Sequence, residues 1–199
     1  LLDSARQLVI EMAPLLAQTP GAFLTSIKGV GIVLASGFTA EIGDPLAQRS
    51  TARLASYAGI GPKVKQTGGS QGASIIGRVS KRCNHHLKDY VVQSAFHIGY
   101  FGSKELRDDY NRRQAAGQHA DFGMGRRFVR MAMCLMRTSQ VYLPPEMRDT
   151  RVTPELRASC YLSMWPYLKS KWNKVGALDT AFAKDKPLGQ WRHIIQDLY

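Results

Sequence analysis

Residues 63–80 form the segment whose residue types and spacing favour phosphate chemistry. The segment is rich in glycine and in hydroxyl side chains, and basic residues stand at both of its ends. Glycine lets another backbone approach closely, and lysine or arginine can hold a phosphate oxygen. No 3.6-residue hydrophobic period runs through the segment, so we expect an ordered or ligand-ordered loop. The phosphate-binding candidates here are Lys63, Lys65, Arg78, Lys81 and Arg82.

A histidine pair, His85-His86, follows this loop. The pair could act as a general base or contact a phosphate, but a surface pair at a helix start is the commoner explanation. No carboxylate stands at metal-ligand spacing beside it, and the sequence predicts no metal site. Asp108, Asp109 and Asp121 do not resemble a metal-binding set either, and we expect them on a solvated helix and the following turn.

Charge is concentrated in the same third of the chain. The 199 residues carry 27 Lys+Arg and 15 Asp+Glu, a formal net charge of +12. Residues 1–60 are neutral, whereas residues 61–140 hold fourteen basic and five acidic side chains, net +9. A single basic run is equally well explained as a solvated helix face. The uneven excess favours a polyanionic partner.

Two apolar segments surround Gly29-Val30-Gly31 and predict a helix, a tight turn and a second helix. Glycine tolerates the backbone angles of such a turn. The amides that open the second helix, together with its dipole, offer a phosphate site. Lys28, Gly29 and Gly31 are therefore candidate DNA-backbone contacts.

Periodic apolar residues predict helices elsewhere, and the expected fold class is all-α, mainly helical. Pro14 should bend the first helix, and Asn84 is the expected N-cap of another. Arg126 and Arg127 occupy the polar side of the last helix and are further candidate DNA contacts. We expect the methionine-rich side of that helix in the core. The predicted helices cover 4–17, 50–58, a segment after Asn84, 104–117 and 126–142. The apolar positions that carry them are Leu8, Met12, Leu15 and Leu16, then Leu54, Tyr57 and Ala58 facing inward, then Leu87, Val91, Ala95 and Ile98, and finally Phe128, Met131, Ala132, Leu135 and Met136.

Cysteine usage and hydropathy exclude several protein classes. The three cysteines, Cys83, Cys134 and Cys160, cannot pair completely and show no CxxC or Cys/His ligand spacing, which disfavours a disulfide scaffold or a zinc finger. The uncharged stretch between Lys28 and Glu41 is shorter than the roughly 18 apolar residues of a membrane span. We expect no membrane partner.

Five blocks in order carry a family resemblance: Ile27-Lys28-Gly29-Val30-Gly31, Glu41-Ile42-Gly43-Asp44, Leu54-Ala55-Ser56-Tyr57-Ala58-Gly59-Ile60-Gly61-Pro62, Gln66-Thr67-Gly68-Gly69-Ser70, and Arg78-Val79-Ser80-Lys81-Arg82-Cys83-Asn84. Over residues 20–140 the chain resembles the C-terminal transposase domain of DEDD-type insertion-sequence transposases, the group that includes the Piv-type DNA invertases. The resemblance implies a transposase domain that contains a helix-hairpin-helix and a Gly/Ser-rich catalytic loop.

Members of that family begin with a RuvC-like nuclease domain that binds Mg²⁺ and continue through a coiled coil. This chain begins Leu1-Leu2-Asp3 without Met, and we expect it to be a fragment or processed product that lacks the RuvC-like domain. The resemblance implies no cofactor here, a homo-oligomer (dimer or tetramer), a structured guide RNA, and a cytoplasmic location with a bacterial or archaeal nucleoid. The expected domains are the end of a coiled-coil helix (1–19), the transposase domain (20–143) and a C-terminal helical extension (144–199).

The family's catalytic serine, which attacks DNA, aligns with Thr67, and Ser70 aligns with a further hydroxyl of the family loop. Threonine is a more hindered nucleophile because its hydroxyl is secondary and β-branched. Thr67, Ser70 and an inactive domain all remain open, and Thr67 is the first choice. The implied activity is that of a transposase or site-specific DNA recombinase. The alternatives are a non-catalytic DNA- or RNA-binding module and an oligomerisation element built from residues 1–17 and the methionine-rich helix.

Overall fold

A computed structural model describes residues 2–47, 50–61, 63–66, 74–77 and 82–145. The mainly helical class is confirmed. In chain order the elements are α1 (Leu2–Leu16), a 3-10 helix (Pro20–Ser26), α2 (Ile32–Ile42), α3 (Thr51–Tyr57), β1 (Lys63–Gln66), β2 (Ser74–Gly77), α4 (His85–Phe101), α5 (Lys104–Ala115) and α6 (Ala120–Thr138).

Helix α4 is central to the packing and contacts α2, α5 and α6. Its four predicted core residues, Leu87, Val91, Ala95 and Ile98, are fully buried, because residues three and four apart share one helix face. The methionine-rich side of α6 is also buried, as predicted, and the Phe128 ring meets Phe38 of α2 edge-on at 5.1 Å between centroids. The core is therefore one continuous apolar layer around α4 and α6.

One apolar prediction needs correction, and the predicted first helix is only partly buried. Tyr57 was expected to face inward, but its side chain is 54% exposed, whereas Leu54 and Ala58 are buried. Of the residues that predicted α1, Leu16 is buried but Leu8 and Leu15 are 58% and 63% exposed. The C-terminal end of α1 thus packs into the core, while part of its apolar surface faces outward.

A short antiparallel hairpin lies within the segment expected to be a loop. Lys63 pairs with Gly77 and Gln66 with Ser74. The β-branched residues Val64, Ile75 and Ile76 favour strands, but each strand has only four residues, too few for an alternating pattern to stand out in the sequence. Residues 67–73, which connect the strands and include Thr67 and Ser70, lie outside the described part of the chain.

Among the described residues no single helix is both long and apolar enough to cross a membrane. Residues 3–16 and the 3-10 helix pass that test only as a pair, with a bend of 116° between them.

Candidate nucleic-acid interface

Asn84 connects three helices at the base of the hairpin. Its side-chain oxygen accepts a hydrogen bond from the Leu87 amide at 3.0 Å and so caps α4, as predicted. Its side-chain amide donates to the Glu41 carboxylate at 2.7 Å and to the Tyr57 hydroxyl oxygen at 3.1 Å. Its backbone N–H donates to the Tyr57 carbonyl at 2.9 Å. The ends of α2 and α3 are thereby tied to the start of α4.

These bonds also bring together the two places where the hairpin joins the helical body. The chain leaves α3 at Tyr57 and enters α4 through Asn84, and β1 and β2 lie between those residues. The sequence identified Asn84 only as a cap, placed Tyr57 in the core and assigned no role to Glu41. The available signal was that all three residues belong to the blocks that carry the resemblance.

Arg126 supports the chain just before the hairpin. Its guanidinium donates to the carbonyl oxygen of Ile60 at 2.9 Å, and the side chain is half-buried. Burial, followed by the nearby charges of Arg113 and Arg130, lowers the pKa of Arg126 from its usual value. Arg126 therefore lies at the base of the hairpin, with one donor already used inside the domain.

Arg127 belongs to an internal ion-pair network between α5 and α6. It pairs with Glu105, and its Nη1 donates to Asp109 at 3.1 Å. Burial alone would lower the pKa of Arg127, but the hydrogen bonds and charges of the two carboxylates outweigh that effect and raise it. The positive charge of Arg127 is therefore paired with Glu105 and Asp109, and these ion pairs hold α5 against α6.

Asp109 is buried, which corrects the expectation that its carboxylate lies on a solvated helix. Its side chain is only 4% exposed and it pairs with Arg112, Arg113 and Arg127. Burial acts to raise the pKa of Asp109, but hydrogen bonds from the three arginines outweigh burial and lower it. Asp108 is exposed as expected, and the half-buried Asp121 accepts a hydrogen bond from the Tyr110 hydroxyl at 2.7 Å.

The glycine turn follows the predicted helix, turn, helix order. The 3-10 helix ends at Ser26, and the Val30 amide donates to the Ile27 carbonyl at 2.9 Å. Gly29 has a φ of +104°, and a Cβ placed there would lie 2.7 Å from the His97 carbonyl oxygen. Gly29 is therefore required by the turn and by its contact with α4.

Gly31 and Lys28 leave the other side of the turn accessible. Gly31 is the N-cap residue of α2, with no side-chain cap and no atom within 4 Å of a Cβ built on it. Lys28 is exposed two residues before Val30. The open backbone of Gly31 and the first amides of α2 follow the exposed Lys28 within one turn, an arrangement suited to an anionic oxygen.

The remaining predicted residues are placed only in part. Lys63 and Lys65 lie in β1, and Arg82 is exposed just before Asn84. His85 and His86 are exposed at the start of α4. Thr67, Ser70, Arg78 and Lys81 lie outside the described residues. Within the described residues, no group of three or more His, Cys, Asp or Glu side chains could hold a metal ion.

Comparison with known proteins gives two matches. Residues 21–111 match the sequence profile of the transposase IS116/IS110/IS902 family. The insertion element IS110 uncharacterized 43.6 kDa protein of Streptomyces coelicolor is 30% identical over 145 residues, which are 70% of this chain and 35% of that protein. The chain spans about a third of the length of this curated relative. No solved structure matches the chain.

Proposed function

We propose that this chain is the transposase domain of a DNA recombinase, because both matches support an IS110-family transposase domain. In this proposal the domain binds the DNA backbone and supplies the hydroxyl that cleaves and exchanges strands. The reaction is insertion-sequence transposition or site-specific inversion. A RuvC-like domain that holds Mg²⁺ assists, and the described residues of this chain offer no site for that ion.

The observation that carries the proposal is the junction of Glu41, Tyr57 and Asn84 at the hairpin base. Those residues come from three of the five sequence blocks of the resemblance, and the chain between Tyr57 and Asn84 contains a fourth, Gln66 to Ser70. A hydroxyl that attacks a phosphorus atom has to approach in line and with little freedom. The junction supports it, because it holds together Tyr57 and Asn84, the two chain positions between which the proposed nucleophile lies in sequence.

The chemical step is a transesterification. The Thr67 or Ser70 oxygen loses its proton and forms a bond to phosphorus, while the bond from phosphorus to one DNA oxygen breaks and that oxygen takes up a proton. The phosphoester energy is kept in the covalent protein–DNA bond, so rejoining needs no ATP. Cations neutralise the charge that develops on the phosphate. We assign that role to Lys63, Lys65, Arg78, Lys81 and Arg82, with Lys28 and Gly31 holding the DNA backbone farther along.

The experiment is to trap the covalent protein–DNA adduct in the intact recombinase that contains this domain. We expect Thr67→Ala to abolish the adduct, and Ser70→Ala to reduce it only if the two hydroxyls exchange roles. Thr138→Ala, which removes a hydroxyl at the end of α6, is the matched control and should form adduct at the parental level. If both loop variants exchange strands like the parent protein, the nucleophile assignment is wrong.

A non-catalytic nucleic-acid-binding module is the second candidate, and one observation favours it: position 67 holds threonine where the family has serine. The module would bind DNA or RNA with strong salt dependence and give no covalent species. Recombination would then require a nucleophile from another chain. The two candidates are distinguished by mixing this domain with a recombinase that forms the adduct. A catalytic domain becomes covalently linked to DNA itself, whereas a binding module does not.

The proposal includes a structured guide RNA and a homo-oligomer. The exposed Leu8 and Leu15 of α1 support a contact between copies, because large apolar side chains on one helix are commonly covered by a partner. Sedimentation of the chain tests this, since Leu8→Ser with Leu15→Ser should shift an oligomer toward monomer.

A further inference from the structure

Three aromatic rings are exposed at the C-terminal end of α4. Phe96, Tyr100 and Phe101 are 45%, 55% and 60% exposed. The rings of Phe96 and Tyr100 lie 4.5 Å apart between centroids, and those of Tyr100 and Phe101 lie 6.5 Å apart. We call these three residues the aromatic patch. The ring of Tyr100 also lies 6.3 Å from that of the buried Tyr110, so the patch is exposed but anchored on the core.

A groove of about 550 Å³ adjoins the aromatic patch between α4 and α5. No described residue forms an ion pair with Lys104 or Arg107 in this groove, and one acidic residue, Asp108, also lines it. The basic charge here is therefore available to an outside ligand. The residues that matter for recognition are Tyr100, Lys104, Arg107, Tyr110, Asn111 and Gln114.

The glycine turn contacts the same helix, α4, that carries the patch. The backbone of Gly29 packs against the carbonyl of His97, which stands between Phe96 and Ile98 in α4. Lys28 precedes Gly29 and is exposed. The glycine turn and the aromatic patch therefore both involve the C-terminal part of α4.

We propose that the aromatic patch and its groove bind an unpaired DNA strand. Flat rings at the surface stack on bases, and this stacking is tolerant of sequence. Lys104 and Arg107 hold the phosphates, while the amides of Asn111 and Gln114 can pair with base edges. Duplex DNA keeps its base faces inside the helix and offers none to Tyr100. The inference rests on the proposed function, since strand exchange produces unpaired DNA beside the cleaved bond.

The test uses the 199-residue chain and a fluorescent twelve-nucleotide oligo-dT, with binding followed by anisotropy. Tyr100→Leu and Phe101→Leu keep apolar bulk but remove the ring, and each should weaken binding about tenfold. Tyr100→Trp should restore it. Lys104→Gln with Arg107→Gln should also weaken binding and flatten its salt dependence. Leu46→Ala and Arg130→Gln, which remove exposed apolar bulk and one exposed charge elsewhere, should bind like the parent chain.

Several results would overturn the inference. Unchanged affinity in the ring variants would remove the stacking role. Tighter binding of oligo-rU than of oligo-dT would assign the surface to RNA, and loss of an oligomer in sedimentation of the ring variants would assign it to a second copy.

Duplex binding is measured in parallel: if the parent chain binds duplex but the ring variants bind oligo-dT normally, only this inference fails. If the parent chain does not bind duplex, the proposed function fails.

Discussion

The side-chain amide of Asn84 donates a 2.7 Å hydrogen bond to the carboxylate of Glu41, a residue 43 positions earlier in the chain. The bond joins the N-terminus of α4 to the last turn of α2. With the bond from Asn84 to Tyr57, it places the fixed end of the hairpin at a junction of three helices. The junction side chains thus join the two chain positions that flank the hairpin in sequence, without forming part of its strands.

Asn84 can be tested with two variants that separate its roles. Asn84→Ser keeps an oxygen that caps α4 but lacks the amide, and Asn84→Asp keeps the cap while placing a carboxylate against Glu41. We expect Asn84→Asp to lower the free energy of unfolding by about 1–3 kcal/mol, because a hydrogen bond to a charged group is replaced by repulsion. Urea unfolding measures this, and Asn84→Ser should lose less. The hypothesis is contradicted if Asn84→Asp is as stable as the parent.

Gly29 and Gly31 are expected to respond differently to alanine. Gly29→Ala forces a side chain onto a φ of +104° and against the His97 carbonyl, so we expect a loss of stability of about 2 kcal/mol. Gly31→Ala meets open space and should cost less than about 1 kcal/mol. If an anionic oxygen approaches Gly31, its alanine variant should weaken duplex binding while remaining folded. Thermal unfolding and duplex titration give both results.

Variants of Lys28 and Arg127 should distinguish a residue that contacts DNA from a residue that stabilises the fold. Lys28→Gln should reduce the slope of log affinity against log salt by about 0.9 for duplex DNA, as expected for one lost phosphate contact. Arg127→Gln leaves Glu105 and Asp109 without a shared cation, so it should lower stability and leave the slope unchanged. The opposite pattern would place Arg127 in the interface and Lys28 outside it.

The lowered pKa of Asp109 predicts how the free energy of unfolding changes at acid pH. Because folding lowers the pKa of Asp109, its contribution is complete above the ordinary carboxyl value of about 3.9 and is lost as pH falls below that value. Asp109→Asn should cost about 3 kcal/mol near pH 6, and this difference should shrink below about pH 4. Urea unfolding from pH 6 to pH 3 tests this, with Asp108→Asn as the exposed control. A difference that stays constant down to pH 3 argues against the ion-pair network as the cause.

Local patterns predicted most of the helices. The Asn84 cap, the buried residues of α4 and the methionine-rich side of α6 all depend on spacings within a few residues, and all three were found. Gly117, the predicted end of the charged helix, has a φ of +67° after the last turn of α5, as expected for a glycine that ends a helix.

The errors came from interactions between distant parts of the chain. Tyr57 is exposed because its hydroxyl meets Asn84 at the surface of the junction, which spacing within α3 does not show. Asp109 is buried because Arg127 arrives from α6, although Arg112 and Arg113 at the third and fourth following positions were a local signal of ion pairing. The partner of Glu41 could not be read from either segment alone.

The register of the hairpin has a consequence for evolution and engineering. Lys63 faces Gly77 nearest the helices, and Gln66 faces Ser74 at the far end, so residues can be added to both strands without moving the junction at Asn84. Each added pair would lengthen the two paired strands by about 3.3 Å. The length of the hairpin can therefore change in discrete steps while the bonds among Asn84, Glu41 and Tyr57 stay the same.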